Sequence, residues 1–284
     1  MISSSVYMKN VLFLSALIIL SLTACEKTVT LDLDQTQTRV VIEGQVTDVS
    51  TQNFVKISRS TGFYNTGKTT RITDATVMVE DNEGNAYPFV HYPGDHADSV
   101  GFYFPEVPFS GVAGRTYKLT VMSGGEIYEA TDQLFRVVPI DKLEYRINEN
   151  EESDPDHPGR FYELLLFVKE PQDTRDYYLF KSYRNDSLKF MNETDVYFAD
   201  DELIGENIDG IPLPLFYGTG DKAGVEVYSL SRDAFVYYRD LQKLLNNDGG
   251  LFGTPPANPR SNLSNGALGL FQASAVKSAE MQIE

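Results

Sequence analysis

Gly114-Arg115-Thr116-Tyr117-Lys118-Leu119-Thr120-Val121 puts tyrosine, leucine and valine at every second position, with polar residues between them. Successive side chains of an extended strand point to opposite faces, so a period of two is that of a strand with one buried face. Ser123-Gly124-Gly125-Glu126 follows, and Ile127 to Thr131 runs back. Paired glycines supply the positive φ angles of a tight hairpin turn, so the two runs predict an antiparallel pair.

Similar short runs precede this hairpin. They are Val40, Ile42 and Val46; Phe54, Val55 and Ile57; Ala75 to Glu80; Ala86 to Val90; and Phe102 to Phe104. Asp81-Asn82-Glu83-Gly84-Asn85 is the turn between the third and the fourth. Strands about ten residues apart, joined by glycine-rich turns, indicate an antiparallel sandwich, and no helical period competes. The spacing predicts an N-terminal β-sandwich domain over 38–134.

On the other side, Pro139 and the acidic stretch Asn148 to His157 interrupt the pattern. A second, mostly β domain is expected over 135–284. Phe161 to Lys169 and Tyr177 to Tyr183 read as longer, more buried strands, Asn192 to Gly210 as acidic and weakly patterned, and Glu226 to Leu230 as a strand. One clear helix is predicted over 233–245. Ser231 is its N-cap, Asp233 lies near its positive end, and Phe235, Tyr238, Leu241 and Leu245 form its apolar face. Gly253 to Pro259 is a proline-rich loop, because proline denies both helix and ladder bonding. Ala267 to Ala275 is expected to be the final strand. The fold class expected is mainly β.

The start of the chain points to export. Lys9 supplies a positive charge, Val11 to Leu22 is an apolar run broken only by Ser15 and Ser21, and Leu22-Thr23-Ala24-Cys25 follows. Charge, a short apolar core and then small residues make a secretory signal, here 1–24, and the core is too short to span a bilayer. Met8-Lys9-Asn10 would open such a signal as well as Met1 does. Leucine, two small residues and cysteine resemble the bacterial lipobox, in which the cysteine receives acyl chains such as palmitate. Cys25 is the only cysteine, so it cannot form an internal disulfide. The alternative is an ordinary signal peptide with a chance cysteine. Residues 25–37 would tether the lipid to the first strand. The expected location is the outer membrane, lipid-anchored, on the cell surface or in the periplasmic leaflet.

Removal of 1–24 leaves 260 of the 284 residues, and hydrophobic residues at 42% can build real cores. A formal charge of −17 argues against nucleic acid, whose affinity rests on lysine and arginine, and against electrostatic docking on anionic lipid.

Signatures of chemistry are thin. Of three histidines, His91 and His96 share a segment with Asp95 and Asp98, but their spacing matches no zinc motif, and no metal is assigned. No Gly-x-Ser-x-Gly elbow exists. Gly218 to Ala223 fits a relaxed dinucleotide pattern, but Val225 and Val227 continue as a strand where a helix is needed, so it reads as a hairpin turn. Asp195, Asp200, Asp201, Glu202, Glu206 and Asp209 could hold calcium but lack EF-hand spacing, and loop solvation is the plainer reading. No cofactor is expected. Three residues are candidates for partner binding: Phe252 and Arg260 flanking the proline loop, and Tyr237, which helical spacing turns away from Tyr238.

Several segments carry a resemblance. They are Val40 to Asp48, Ile72 to Val77 with Asp81 to Gly84, Gly114 to Leu119, Ser229 to Leu245, and Phe252 to Pro259 leading into Asn262-Leu263 and Ala267 to Phe271. In these the chain resembles a family of Bacteroidota outer-membrane lipoproteins catalogued as domain of unknown function 4249. The resemblance implies an immunoglobulin- or transthyretin-like N-terminal sandwich and a second mostly β part. It also implies a neighbourhood with TonB-dependent transporters, and it carries no catalytic residues. The function expected is that of a non-enzymatic lipoprotein, an accessory or ligand-binding partner of such a transporter in nutrient uptake. A surface hydrolase using the acidic loops, or a structural or adhesive surface protein, are the rival classes. Asp98-Ser99-Val100 and Asp186-Ser187-Leu188 resemble sites at which exported Bacteroidota proteins are O-glycosylated.

Overall fold

The structure is a computed structural model and describes residues 38–61, 69–92, 94, 97–148, 154, 158–169, 175–192, 194–200, 207–247 and 257–284. The chain divides into two compact units, Met1–Gln37 and Thr38–Glu284. The first, with Cys25, lies outside the described residues.

The N-terminal strands are β1 (Val40–Thr47), β2 (Phe54–Arg59), β3 (Thr76–Asp81), β4 (Ala86–His91), β5 (Phe102–Pro105), β6 (Thr116–Ser123) and β7 (Glu126–Gln133). The strands that follow are β8 (Lys142–Ile147), β9 (Tyr162–Lys169), β10 (Tyr177–Arg184), β11 (Ser187–Lys189), β12 (Tyr197–Asp200), β13 (Asn207–Tyr217), β14 (Lys222–Leu230), β15 (Leu268–Ser274) and β16 (Val276–Gln282). Helix α1 (Arg232–Leu245) separates β14 from β15. The fold is mainly β with one α-helix among the described residues.

The eight-stranded first sheet has the order β15-β1-β2-β5-β4-β3-β6-β7. The β6–β7 hairpin forms as its alternation predicts: Tyr117, Leu119 and Val121 are fully buried, and Gly124 and Gly125 at the turn have φ of 61° and 83°. The β3–β4 turn is fixed by Asp81. Its carboxylate accepts from the backbone N–H of Glu83 and Asn85, from Tyr87 Oη, and from Arg115 Nη1 at 2.8 Å. Burial alone would raise the Asp81 carboxyl, but hydrogen bonds from the Asn85 side chain, the Asn85 N–H, Tyr87 and the Glu83 N–H outweigh it and hold it at about 2.

The sheet curls until its ends meet. Gly44 on β1 lies close to Leu119 on β6, five places away along the strand order. The closing seam between β7 and β15 is polar. The Ala273 N–H donates to Asp132 at 2.8 Å, the Ser264 N–H to the Glu129 carbonyl, and the Glu129 N–H to Ser264 Oγ.

β8, β9 and β13 make a three-stranded sheet in the order β13-β9-β8. β10, β14 and β16 continue from β11, with β12 also beside β10, as a five-stranded sheet. β9 is buried on both faces from Glu163 to Leu166, as its leucine run predicts.

Two expectations need correction. The domain edge expected at 134 is not a boundary between compact units, because β15 pairs in parallel with β1 from Val41↔Leu268 to Thr47↔Ser274. One core joins Val77 and Leu119 to Leu164, Tyr178 and Val225. A pairing across more than 220 residues leaves no local trace in the sequence. Nor is β15 the final strand. The chain passes Ala275 directly into β16, where Lys277, Ser278, Glu280 and Gln282 leave little apolar signal.

Candidate functional site

The helix positions its residues as capping chemistry dictates. Ser231 Oγ accepts the Ala234 N–H at 3.1 Å, and Ala234 and Phe235 are buried against Leu179, Leu230 and Leu270. Leu245, expected on the apolar face, is exposed in the last turn. Tyr237 is half-buried, its ring edge-on to Tyr238 with centroids 5.6 Å apart, and burial pushes its phenol up to about 12. Tyr238 Oη donates to Gln272 at 2.6 Å, which ties the helix to β15. Arg260 does not project freely. It forms a two-pronged pair with Asp240 on the helix, Nε at 2.5 Å and Nη2 at 2.8 Å, and this pair holds the Asp240 carboxyl below its usual range. Phe252, Pro255 and Pro256 lie outside the described residues, as do His96, Asp95, His157, Asp201, Glu202 and Glu206.

His91 ends β4, where its Nε2 accepts the Gly101 N–H at 3.1 Å and its ring lies against Tyr103. The Asp195 carboxylate accepts from the Asn192 N–H and from Tyr197 Oη at 2.6 Å, and Asp200 pairs with Arg175. Among the described residues no group of three or more histidines, cysteines and carboxylates could hold a metal. Gly218 to Asp221 is a turn, with the Asp221 N–H bonded to the Gly218 carbonyl, but not a hairpin, since β13 and β14 belong to different sheets. Ser187 is exposed just after a tight turn whose two residues, Asn185 and Asp186, have φ of 52° and 62°. Ser99 is half-buried in the short 3-10 turn Ala97–Ser99.

A partly buried polar group joins the first sheet to the five-stranded sheet. The Glu226 carboxylate accepts from Tyr183 Oη at 2.5 Å, Tyr228 Oη at 2.7 Å and Gln52 Nε2 at 2.8 Å. Lys181 Nζ stands 4.1 Å from the centre of the Tyr228 ring, and burial lowers its pKa against the pull of Glu226. With its carboxylate engaged by three donors, this group reads as a brace between the sheets.

The outer face of the eight-stranded sheet is different. Its outward positions should be polar, yet Val90 is paired with Phe104 and Met122 with Ile127, and all four are exposed. Thr76, opposite Met122, lies one step beyond the Val77↔Phe89 pair and so next to Val90. The result is a row across β5, β4, β3, β6 and β7 that is apolar except at Thr76 of β3. At the β5 end it broadens into an aromatic patch. Phe102 and Phe104 have near-parallel rings 6.1 Å apart, Phe54 lies 5.6 Å from Phe102, and exposed Tyr92 donates its N–H to the Phe102 carbonyl. Charged pairs border the row: Lys56 with Glu43 at 2.9 Å, and Lys118 with Glu129. An apolar centre with a charged rim is the anatomy of a protein interface. The sequence reading missed these residues. Their signal was apolar side chains at the outward places of alternating strands, as Met122 is after Thr116, Lys118 and Thr120.

The family described as Domain of unknown function (DUF4249) matches residues 26–280. The chain belongs to this family. No curated protein matches it. In this DUF4249 protein two of the segments that carry the resemblance are brought together: Val40 to Thr47 lies beside the strand that begins at Leu268.

Proposed function

We propose that this DUF4249 protein is a lipid-anchored, non-enzymatic protein of the outer membrane. On this reading it docks on a TonB-dependent transporter through the outer face of its eight-stranded sheet and serves nutrient uptake. The observation that carries the reading is the exposed row of Phe104, Val90, Met122 and Ile127 with its charged rim. Exposed apolar rows cost solubility unless a partner covers them, and their place on rigid strands makes them a preformed interface. The lipobox-like Leu22 to Cys25 supports the anchor, and the resemblance supports the transporter. Exposed Ser187 is the better placed of the two candidate glycosylation sites, and mass spectrometry of the native protein tests it.

The experiment is co-purification from detergent-solubilised outer membrane. A stoichiometric transporter supports the proposal. Recovery of the chain alone, with turnover of a glycan or peptide panel that is lost in Asp200→Asn, would favour the hydrolase class instead.

A further inference from the structure

Between the two smaller sheets lies a cavity of about 140 Å³ that is partly open to solvent, with Ile211 of its wall exposed. Leu166 of β9, Phe180 of β10, Tyr197 and Ala199 of β12, and residues 211–214 of β13 form its wall. The wall is almost wholly apolar. Tyr197, whose hydroxyl could have been an exception, directs it to Asp195 at 2.6 Å.

The cavity is held open by sequence. Pro212 and Pro214 have no N–H, so β13 cannot keep a regular ladder here. Its register with β9 passes from Pro212↔Leu165 to Phe216↔Glu163, so four steps along β13 answer two along β9. The extra length bows β13 away from its neighbour beside the cavity. Apolar wall left facing water in this way is favourably covered by an apolar occupant.

We infer that this cavity is a binding site for an uncharged hydrocarbon ring. Its volume is close to the roughly 150 Å³ that is enough for benzene or xenon in a closed apolar cavity. Phe180, Tyr197, Pro212 and Pro214 line it with ring side chains, which suit a ring. A sugar is excluded, because its hydroxyls would be buried against a wall with nothing to bond them. The inference does not rest on the transporter reading, since the cavity lies on other strands than the apolar row.

The test uses the full chain with benzene, and with inositol as a ring of similar size covered in hydroxyls. Benzene is expected to raise the melting temperature by about 2 °C or more, and inositol to leave it unchanged. Ala199→Leu and Ala199→Phe fill the cavity from β12 and should lose most of the benzene shift. Crystals of the unaltered protein under xenon pressure should show density between Phe180 and Ile211, a readout that needs no variant. The inference is overturned if benzene shifts the filled variants as much as the wild type, or if the wild type shows neither a benzene shift nor xenon density.

Discussion

The ring of Phe271 lies where a side chain on Gly44 would stand: a Cβ there would be 2.8 Å from Phe271 Cδ2. Gly44 on β1 and Phe271 on β15 are register partners in the parallel pair that ends the eight-stranded sheet. Two residues along, Gly269 has φ of +104°, and a Cβ on it would fall 2.0 Å from the Ile42 carbonyl oxygen. Both glycines therefore serve the close approach of the two strands.

The first prediction is an order of severity. Gly44→Ala should lower unfolding stability by about 1–3 kcal/mol, the usual cost of overpacking against a ring that can shift. Gly269→Ala meets backbone that cannot yield, and should cost more or prevent folding. Adding Phe271→Leu to Gly44→Ala should recover part of the loss. Urea midpoints of the three variants check this, and equal effects of the two glycine changes would contradict it.

Asp132 predicts a pH dependence of the seam. Burial pushes its carboxyl up to about 6, against hydrogen bonds from the Ala273 N–H, Ser231 and the Gln133 N–H, with the Asp233 charge adding to the rise. A carboxyl whose pKa is higher folded than unfolded binds its proton more tightly when folded, so its ionisation costs stability. The cost begins above the unfolded value, near 4, and is complete above about 6. A shift of about two units corresponds to roughly 3 kcal/mol. Chemical denaturation should show stability falling by that order between about pH 4 and pH 7, and in Asp132→Asn the fall should be largely absent. An unchanged profile in the variant would remove Asp132 as its source.

Arg260 was expected to be a contact residue, and its pairing with Asp240 makes it a clamp on the loop that follows the helix. Because the Arg260 side chain is largely exposed, Arg260→Ala should leave the melting temperature nearly unchanged. It should let the Asp240 carboxyl rise toward its ordinary range, which carboxyl chemical shifts would report. A large fall in melting temperature would make the clamp a structural brace.

The strands of the first sheet were legible because each buries one face, so the period of two survives in Thr116 to Val121 and in Ile127 to Thr131. The helix was legible through Ser231 and its apolar spacing. What escaped was of two kinds. β13 carries Pro212 and Pro214 and bulges, so it was not assigned as a strand although it lines a cavity. The β1–β15 pairing joins residues far apart in the chain, and only the glycines at 44 and 269 hinted at close contact. Arg260 was chosen by residue type and its place beside the proline loop, and Tyr237 by type and helical spacing, and none of these reveals that Asp240 lies within reach of one or that the Tyr238 ring packs edge-on to the other.

The proposed anchor gives a prediction of its own. Cys25→Ser should abolish lipid labelling and release the protein from the membrane fraction, since stable anchoring needs the acyl chains. A serine variant that stays bound after a carbonate wash would mean that the lipid is not the main anchor.

The most direct test of the docking proposal is affinity purification of the wild type and of a Val90→Ser, Phe104→Ser, Met122→Ser triple variant from solubilised outer membrane. These positions are exposed, so the variant should fold and melt as the wild type does. The account predicts a transporter recovered at close to one copy per chain with the wild type and reduced at least about tenfold with the variant, the loss of one or more interface hot spots. A transporter recovered equally with both, or with neither, would contradict it.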